Sequence, residues 1–367
     1  MEEKETGDSL QSDSVQLDSM QADPIQPDSV PLETRSTKRK KMDRKTRNII
    51  IYSALALVLV LGLGTAYAMH VFYSFAGNIY VDPNENPANI DPDAPKEGDP
   101  DYQPVSAAPE WDGHERINIV LFGADSRGLE NTRLSRSDTM MIVSINPEDK
   151  SVRLFSILRD TYVKIANHGS NRLNAAIVFG GPRLAMSTIS SFVDLPLHYY
   201  VYTDFEGFIS LIDSIGGIDY EVDKKMVHID NRDDPRYNIR LEPGLQHMDG
   251  VTALQYVRFR SDALSDYSRS DRQRQFIGAI ATELKKTTNL FKLPSLLNSI
   301  APYIQTDIPP DELFDLARLA LKLDMSTMSG VMLPQQGAFT NEIISDMDVI
   351  VPNIEKVQAY VKEQLGE

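Results

Sequence analysis

Four short stretches hold the side chains best suited to chemistry. Residues 256–276, YVRFRSDALSDYSRSDRQRQF, carry five arginines (Arg258, Arg260, Arg269, Arg272, Arg274) and no lysine, in a chain of 367 residues with a formal net charge of -16. The planar guanidinium fork grips a phosphate or carboxylate through two parallel hydrogen bonds, whereas lysine serves solubility equally well, so the bias points to an anion site. The other three stretches are GADSR (123–127), RLSRSDT (133–139) and LRDTY (158–162), each interrupting an apolar pattern. They contribute Asp125 with Arg127, Arg136 with Asp138, and Arg159 with Asp160. Asp125 and Asp138 together suit one Mg2+ or Mn2+, which commonly takes one or two carboxylates and completes its shell with water and substrate phosphate. Plainer readings stand beside these: a loop Asp as turn former or cap, Arg136 and Arg159 as surface ion partners, and the 256–276 arginines as counter-charges to Asp262, Asp266 and Asp271. The pattern has weight only as a set.

The elements that must position these groups are legible as runs. RINIVLFG (116–123) is a β-branched run ending in Gly, suited to a buried strand that opens into a loop. TMMIVSIN and SVRLFSIL, within 139–158, are two strands joined by a turn at Pro147 to Lys150, and HYYVYTDF and IDYEV are further strands. NAAIVFGGPRLAMSTISSFVDL, FEGFISLIDSIGG, GVTALQYVRF, DRQRQFIGAIATELKK, PPDELFDLARLALKL and IEKVQAYVKEQL space their apolar residues as helices do. The mixture implies an α/β or α+β domain of three layers, a mixed β-sheet flanked by helices. The three polar clusters then lie at strand ends, where open α/β sheets bind ligands. Arg258 and Arg260 share a face only on extended backbone, since on a helix they diverge by about 200°, so the helix is expected to end near Arg258. Arg269, Arg272 and Gln273 are expected at the start of the next helix, where free N–H groups and the dipole favour an anion.

Composition narrows the chemistry. The chain has no cysteine, which excludes thiolate metal sites, disulfides and a cysteine nucleophile. Its acidity argues against nucleic acid as a partner. The six histidines show no HExxH or HxH spacing, and neither a Gly-rich phosphate loop nor a GxSxG elbow is present.

Residues 1–47 read as a cytoplasmic tail that cannot bury enough apolar surface to order itself, with four copies of a Q-x-D-[S/P]-apolar pentapeptide at 11–30. The tail ends in KRKKMDRKTR, seven basic residues against one Asp, set against the membrane rather than nucleic acid. Residues 48–75 form an uncharged stretch long enough to cross a bilayer as an uncleaved anchor, although Ala66-Tyr67-Ala68 resembles a cleavage site. Basic residues before it and acidic ones after it place the N-terminus in the cytoplasm and everything later outside. Residues 76–110, rich in Pro and Asp, read as a spacer, and 111–367 as the folded domain.

Taken in order, NIVLFGADSR, RSDTMMIVSIN, VRLFSILRDTYV, RLNAAIVFGG, DFEGFISLIDSIGGI, MDGVTALQYVRFR and DYSRSDRQRQ resemble the LytR-CpsA-Psr family of cell-wall glycopolymer ligases over about residues 115–290. The resemblance implies transfer of an anionic polymer, such as teichoic acid or capsular polysaccharide, from an undecaprenyl-pyrophosphate carrier to a peptidoglycan hydroxyl through a phosphodiester link. It implies Mg2+ on Asp125 and Asp138, and the lipid pyrophosphate among Arg136, Arg159, Arg258, Arg260, Arg269 and Gln273, with Arg127 and Arg272 counted in the same set. Asp125 and Asp160 are candidate general bases, in a catalytic group of Asp125, Asp138, Arg159 and Asp160. Two departures stand out: Arg172 replaces the lysine common in the family's KLN motif, and ILRD replaces the more usual IPRD. The carrier's tail needs an apolar tunnel, for which Phe276, Ile277, Ile280 and Leu284 are candidates unless they serve the core. A lipid-pyrophosphate hydrolase and a non-catalytic membrane regulator are the rival readings.

Overall fold

The β-branched runs dictate a sheet whose strands are buried on both faces. The computed structural model describes residues 43–82, 94–96, 98–124, 137–231, 234–260, 265–325 and 328–366. The first helix, α1 (Arg44–Ile79), precedes β1 (Ile117–Ala124), β2 (Ser137–Ile145), β3 (Val152–Ile157) and a small hairpin of β4 (Tyr162–Ile165) and β5 (Gly169–Arg172). Then come α2 (Ala176–Val193), β6 (Tyr199–Asp204), α3 (Phe205–Ile215), β7 (Ile218–Val222), β8 (Met226–His228), β9 (Ile239–Leu241) and β10 (Gly244–Met248). Next are α4 (Gly250–Arg258), α5 (Ser265–Leu284), α6 (Thr287–Ile300), β11 (Ile304–Thr306) and α7 (Pro310–Ala320). The chain closes with β12 (Ser329–Leu333), the hairpin β13 (Phe339–Ile344) and β14 (Met347–Pro352), and α8 (Ile354–Leu365).

Six strands form the central sheet in the order β11-β6-β1-β2-β3-β12. The sheet is mixed: β1 runs antiparallel to β2 and parallel to β6, while β3 runs antiparallel to β2 and parallel to β12. The C-terminal ends of β1, β3, β6 and β12 therefore share one edge with the N-terminal end of β2. Successive residues of a strand face opposite sides, and here both sides are covered. Val120, Phe122, Ile142, Phe155 and Tyr202 pack with α2 and α8 through Ile189, Phe192, Val357 and Val361. Ile117, Ile119, Met141 and Leu154 pack on the other face with Ile277 of α5 and Leu316 of α7. This is the expected three-layer arrangement. A further cluster joins α3, α4, α5, α6 and the β7–β10 region through Ile212, Met248, Leu254, Phe276 and Leu297.

Contacts divide the chain inside α1, into Met1–Val58 and Leu59–Glu367. In the first unit, the apolar side chains of α1 such as Ile49, Leu55 and Val58 are exposed. The helix as a whole is long and apolar enough to cross a membrane. Residues 173–193 pass the same test of length and composition, but most of that span is buried as a core helix.

In the second unit, α1 continues past residue 75, and Val71, Phe75, Ala76 and Ile79 are buried. Phe75 and Ile79 join the cluster of Ile209, Ile212 and Ile300, and Val81 N–H donates to the Thr306 carbonyl at 2.8 Å. The spacer expected over 76–110 is thus shorter at its start. At its other end, Asn167 exchanges hydrogen bonds with the Gln103 backbone (2.6 and 2.9 Å), and Ala108 packs on the core. The folded part takes in residues well before Trp111, because apolar residues at the end of an apparent membrane stretch serve equally well as core.

Candidate functional site

The shared strand edge gathers the polar motifs. Asp138 is the second residue of β2, and Ser137 beside it bonds the Gly123 carbonyl at 3.2 Å, where the β1–β2 register shifts in a bulge. Immediately after β3, the segment 158–161 turns tightly: the Thr161 hydroxyl donates to the Leu158 carbonyl at 2.6 Å. Neighbouring segments hold its main chain from several sides. Leu158 N–H donates to Leu333, Arg159 and Thr161 carbonyls accept from Asn174 and Leu173, and the Asp160 carbonyl accepts from Ile350.

These backbones present a chain of ion pairs. Arg159 Nη1 bonds Asp138 Oδ1, and its Nε lies 3.4 Å from Asp160 Oδ2. Arg172 Nε lies 3.4 Å from Asp160 Oδ1, and Arg260 Nη2 lies 3.8 Å from Asp138 Oδ1. Among the described residues, three guanidiniums thus meet two carboxylates at this edge. An anion reaching this edge is met by forks already aligned by their carboxylate partners.

The second wall comes from α4 and α5. Helix α4 ends at Arg258, as expected, and Phe259 is extended (φ -58°, ψ 133°). Arg258 lies over the rings of Phe205 and Tyr237, at 4.7 and 5.2 Å from their centroids. Gln273 ties α5 to both neighbours, donating to Thr139 Oγ1 at 3.1 Å and to the Val257 carbonyl at 3.3 Å. Arg272 donates to the Phe259 carbonyl and lies over the Phe259 ring. Arg274 pairs with Asp271 at 2.9 Å.

The position of Arg269 and Arg272 corrects one expectation. Helix α5 begins at Ser265, so Arg269 falls in its second turn and Arg272 in its third, beyond the reach of the free N–H groups and of most of the dipole. Burial distinguishes them instead, since both guanidinium residues are enclosed. Of the tunnel candidates, Phe276 and Ile280 are buried and Ile277 and Leu284 half-buried, and Phe276 packs against Tyr220 and Tyr256 at 5.0 and 5.8 Å between ring centroids. Burial, then Tyr220, pushes the Tyr256 phenol well above its usual range, so it stays neutral.

Asp125, Arg127 and Arg136 lie outside the described residues. Among the described residues, no group of three or more His, Asp or Glu side chains is arranged to hold a metal. Asp138 fits a two-carboxylate Mg2+ site in its donor chemistry: among the described residues its ion pairs fall on Oδ1, and its carboxylate is a hard oxygen donor. Sequence reasoning singled out Arg172 only as a departure and missed its partner, the β13–β14 hairpin. It also missed Thr139 as the anchor of Gln273.

The chain is 32% identical over 206 residues to the polyisoprenyl-teichoic acid–peptidoglycan teichoic acid transferase TagU of Bacillus anthracis, a match covering 56% of this chain and 64% of that one. The chain thus spans a little under two thirds of the curated relative's length. The crystal structure of Bacillus subtilis TagV superposes with a TM-score of 0.57 at 25% identity, covering 69% of this chain and 98% of TagV. YwtF (TagT) of Bacillus subtilis, solved with bound octaprenyl pyrophosphate lipid, shares the fold at 20% identity with a TM-score of 0.52, over 71% of this chain and 94% of that one. The LytR_cpsA_psr family profile matches residues 75–364, from the buried end of α1 to α8. That match spans most of the chain and contains every strand-end motif, so the chain belongs to the LytR_cpsA_psr family.

Proposed function

We propose that the protein is a membrane-anchored phosphotransferase that moves an anionic glycopolymer such as teichoic acid from a polyisoprenyl pyrophosphate carrier to peptidoglycan. The observation that carries this reading is the Asp138–Arg159–Asp160 ion group with Arg260 at the shared strand edge. In the reaction, an acceptor hydroxyl oxygen bonds to the phosphorus that bears the polymer. The bond from that phosphorus to the bridging oxygen breaks, polyisoprenyl phosphate departs with the electron pair, and the hydroxyl gives up its proton. A phosphodiester forms without a nucleotide.

The protein's share of such a reaction is positioning and charge stabilisation. Asp138 holds Arg159 and Arg260 side by side, so that their charge is already in place for phosphate oxygens. Asp138 with Asp125 would hold Mg2+ or Mn2+, which supplies Lewis-acid neutralisation of pyrophosphate charge when bound. The apolar helix α1 keeps the domain beside a lipid-borne donor, and the basic residues ahead of it orient the N-terminus to the cytoplasm.

The test supplies full-length protein in detergent with a polyprenyl-pyrophosphate-linked glycan, peptidoglycan fragments and Mg2+. A new phosphodiester signal in phosphorus NMR, on material that migrates with peptidoglycan, is the expected result. Free glycan phosphate in equal amount with and without peptidoglycan selects the hydrolase, and unchanged donor overturns both enzymatic readings.

A further inference from the structure

We propose that Arg172 is a positioning residue: with the β13–β14 hairpin it fixes Asp160, and through Asp160 it aims the Arg159 fork. This rests on the reading above, in which Arg159 meets the substrate phosphate. Arg172 is the last residue of β5, paired across the ladder with Tyr162. One edge of its guanidinium faces Asp160 Oδ1 at 3.4 Å, and its Nη2 donates to the Asp348 carbonyl of β14 at 2.6 Å. The other Asp160 oxygen faces Arg159 Nε at 3.4 Å. Each oxygen of Asp160 therefore lies within ion-pair distance of a guanidinium, which suits it to holding Arg159. Asp160, read from sequence as a candidate base, is a bridge in this arrangement.

The hairpin grips the same turn through its backbone. Ile350 N–H donates to the Asp160 carbonyl at 3.0 Å, and Thr161 bridges to Ile350. Arg172 thus closes a ring that runs through Asp160, Ile350 and Asp348. A lysine ammonium is a single point of charge on a flexible stem, and cannot present two edges of one plane to Asp160 and Asp348 together. Arginine at this position is what the ring requires. A fork that must meet a transferring phosphoryl group works best when it is already in place, so loosening its support weakens binding without removing its charge.

The test uses the full chain in detergent and four variants: Arg172→Ala, Arg172→Lys, Asp160→Asn, and Arg172→Ala combined with Asp160→Asn. Amide hydrogen exchange reads the brace without any ligand, and calorimetric titration with octaprenyl pyrophosphate in Mg2+ reads its effect. Arg172→Ala is expected to speed exchange at Ile350 and across 159–161 by about tenfold, leaving the β1–β2 amides unchanged, and to weaken lipid binding by about tenfold. Arg172→Lys recovers part of that affinity, and in the Asp160→Asn background Arg172→Ala changes it by less than about twofold, because Arg172 acts through Asp160. Unchanged exchange in Arg172→Ala overturns the brace. So does an equal loss of affinity in both backgrounds, which makes Arg172 a direct ligand. A wild type that ignores the lipid while the exchange responds as expected removes the proposed donor and leaves the brace standing.

Discussion

Two populations of charged side chains occupy the domain, and they differ in burial more than in type. At the strand edge, the side chains of Asp160, Arg159, Asp138 and Arg260 are 21, 27, 29 and 39% exposed. Elsewhere in the domain, Asp204, Arg269, Arg272 and Asp307 are only 1, 4, 6 and 6% exposed. A charge in the first group is open enough to meet a ligand while its protein partner holds it in place. Asp204, Asp307 and Arg272 in the second group are tied to fold partners, since leaving a charge unpaired in the interior is expensive. Asp204 caps α3 by accepting from Gly207 N–H at 2.9 Å, and Asp307 accepts from Tyr200 N–H at 2.8 Å. The edge set is therefore read as the working surface, and Asp204, Asp307 and Arg272 as part of its frame.

Substitutions separate the two populations. The largest effect is expected from Arg159→Ala, which should lower the transfer rate by about 10²–10³-fold while moving stability by no more than about 1 kcal/mol. Initial rates and urea unfolding on the same samples check this, and a stability loss that matches the rate loss would merge the two populations. Arg272→Ala should show the opposite profile, costing about 2–3 kcal/mol of stability by removing the bond to the Phe259 carbonyl and the contact with its ring. Denaturant unfolding reads that loss directly.

Asp307→Asn should give a smaller, pH-dependent effect. Burial raises the Asp307 carboxyl to about 6, against the weaker opposing pull of the Tyr200 N–H and Arg183. Because the folded value exceeds the unfolded one near 3.8, the stabilising contribution is present below about pH 4 and is lost as pH rises through 6. Asparagine keeps the acceptor for Tyr200 and carries no charge, so above pH 6 the variant should be more stable than wild type by about 2 kcal/mol. Melting midpoints across pH 4 to 8 test it, and parallel curves for the two proteins would refute the assignment.

Much of this frame is written locally. RINIVLFG and the pair TMMIVSIN and SVRLFSIL announce β1, β2 and β3 by β-branched density alone, and the polar motifs announce the edge by breaking those runs. The end of α4 at Arg258 followed from the need to bring Arg258 and Arg260 onto neighbouring positions. Other features depend on distance in the chain. Helix α6 carries Pro294 in its interior, which blurs the helical pattern. The β13–β14 hairpin turns at Ser345 and Asp346, both at positive φ (52° and 62°), where Asn-Gly would have been the recognisable signal. Its grip on Asp160 and Arg172 joins residues far apart in sequence, and no local pattern encodes such a register. The burial of Phe75 and Ile79 was equally hidden, because membrane and core select the same side chains.

The most direct test of the central claim is a titration of octaprenyl pyrophosphate into the full-length protein with Mg2+, set beside the Arg159→Ala, Arg260→Ala double variant. Saturable binding by the wild type, weakened by at least about tenfold in the variant with an unchanged melting midpoint, is the expected result. Equal affinity in the two proteins would contradict the account, since the lipid pyrophosphate would then be held somewhere other than at the strand edge.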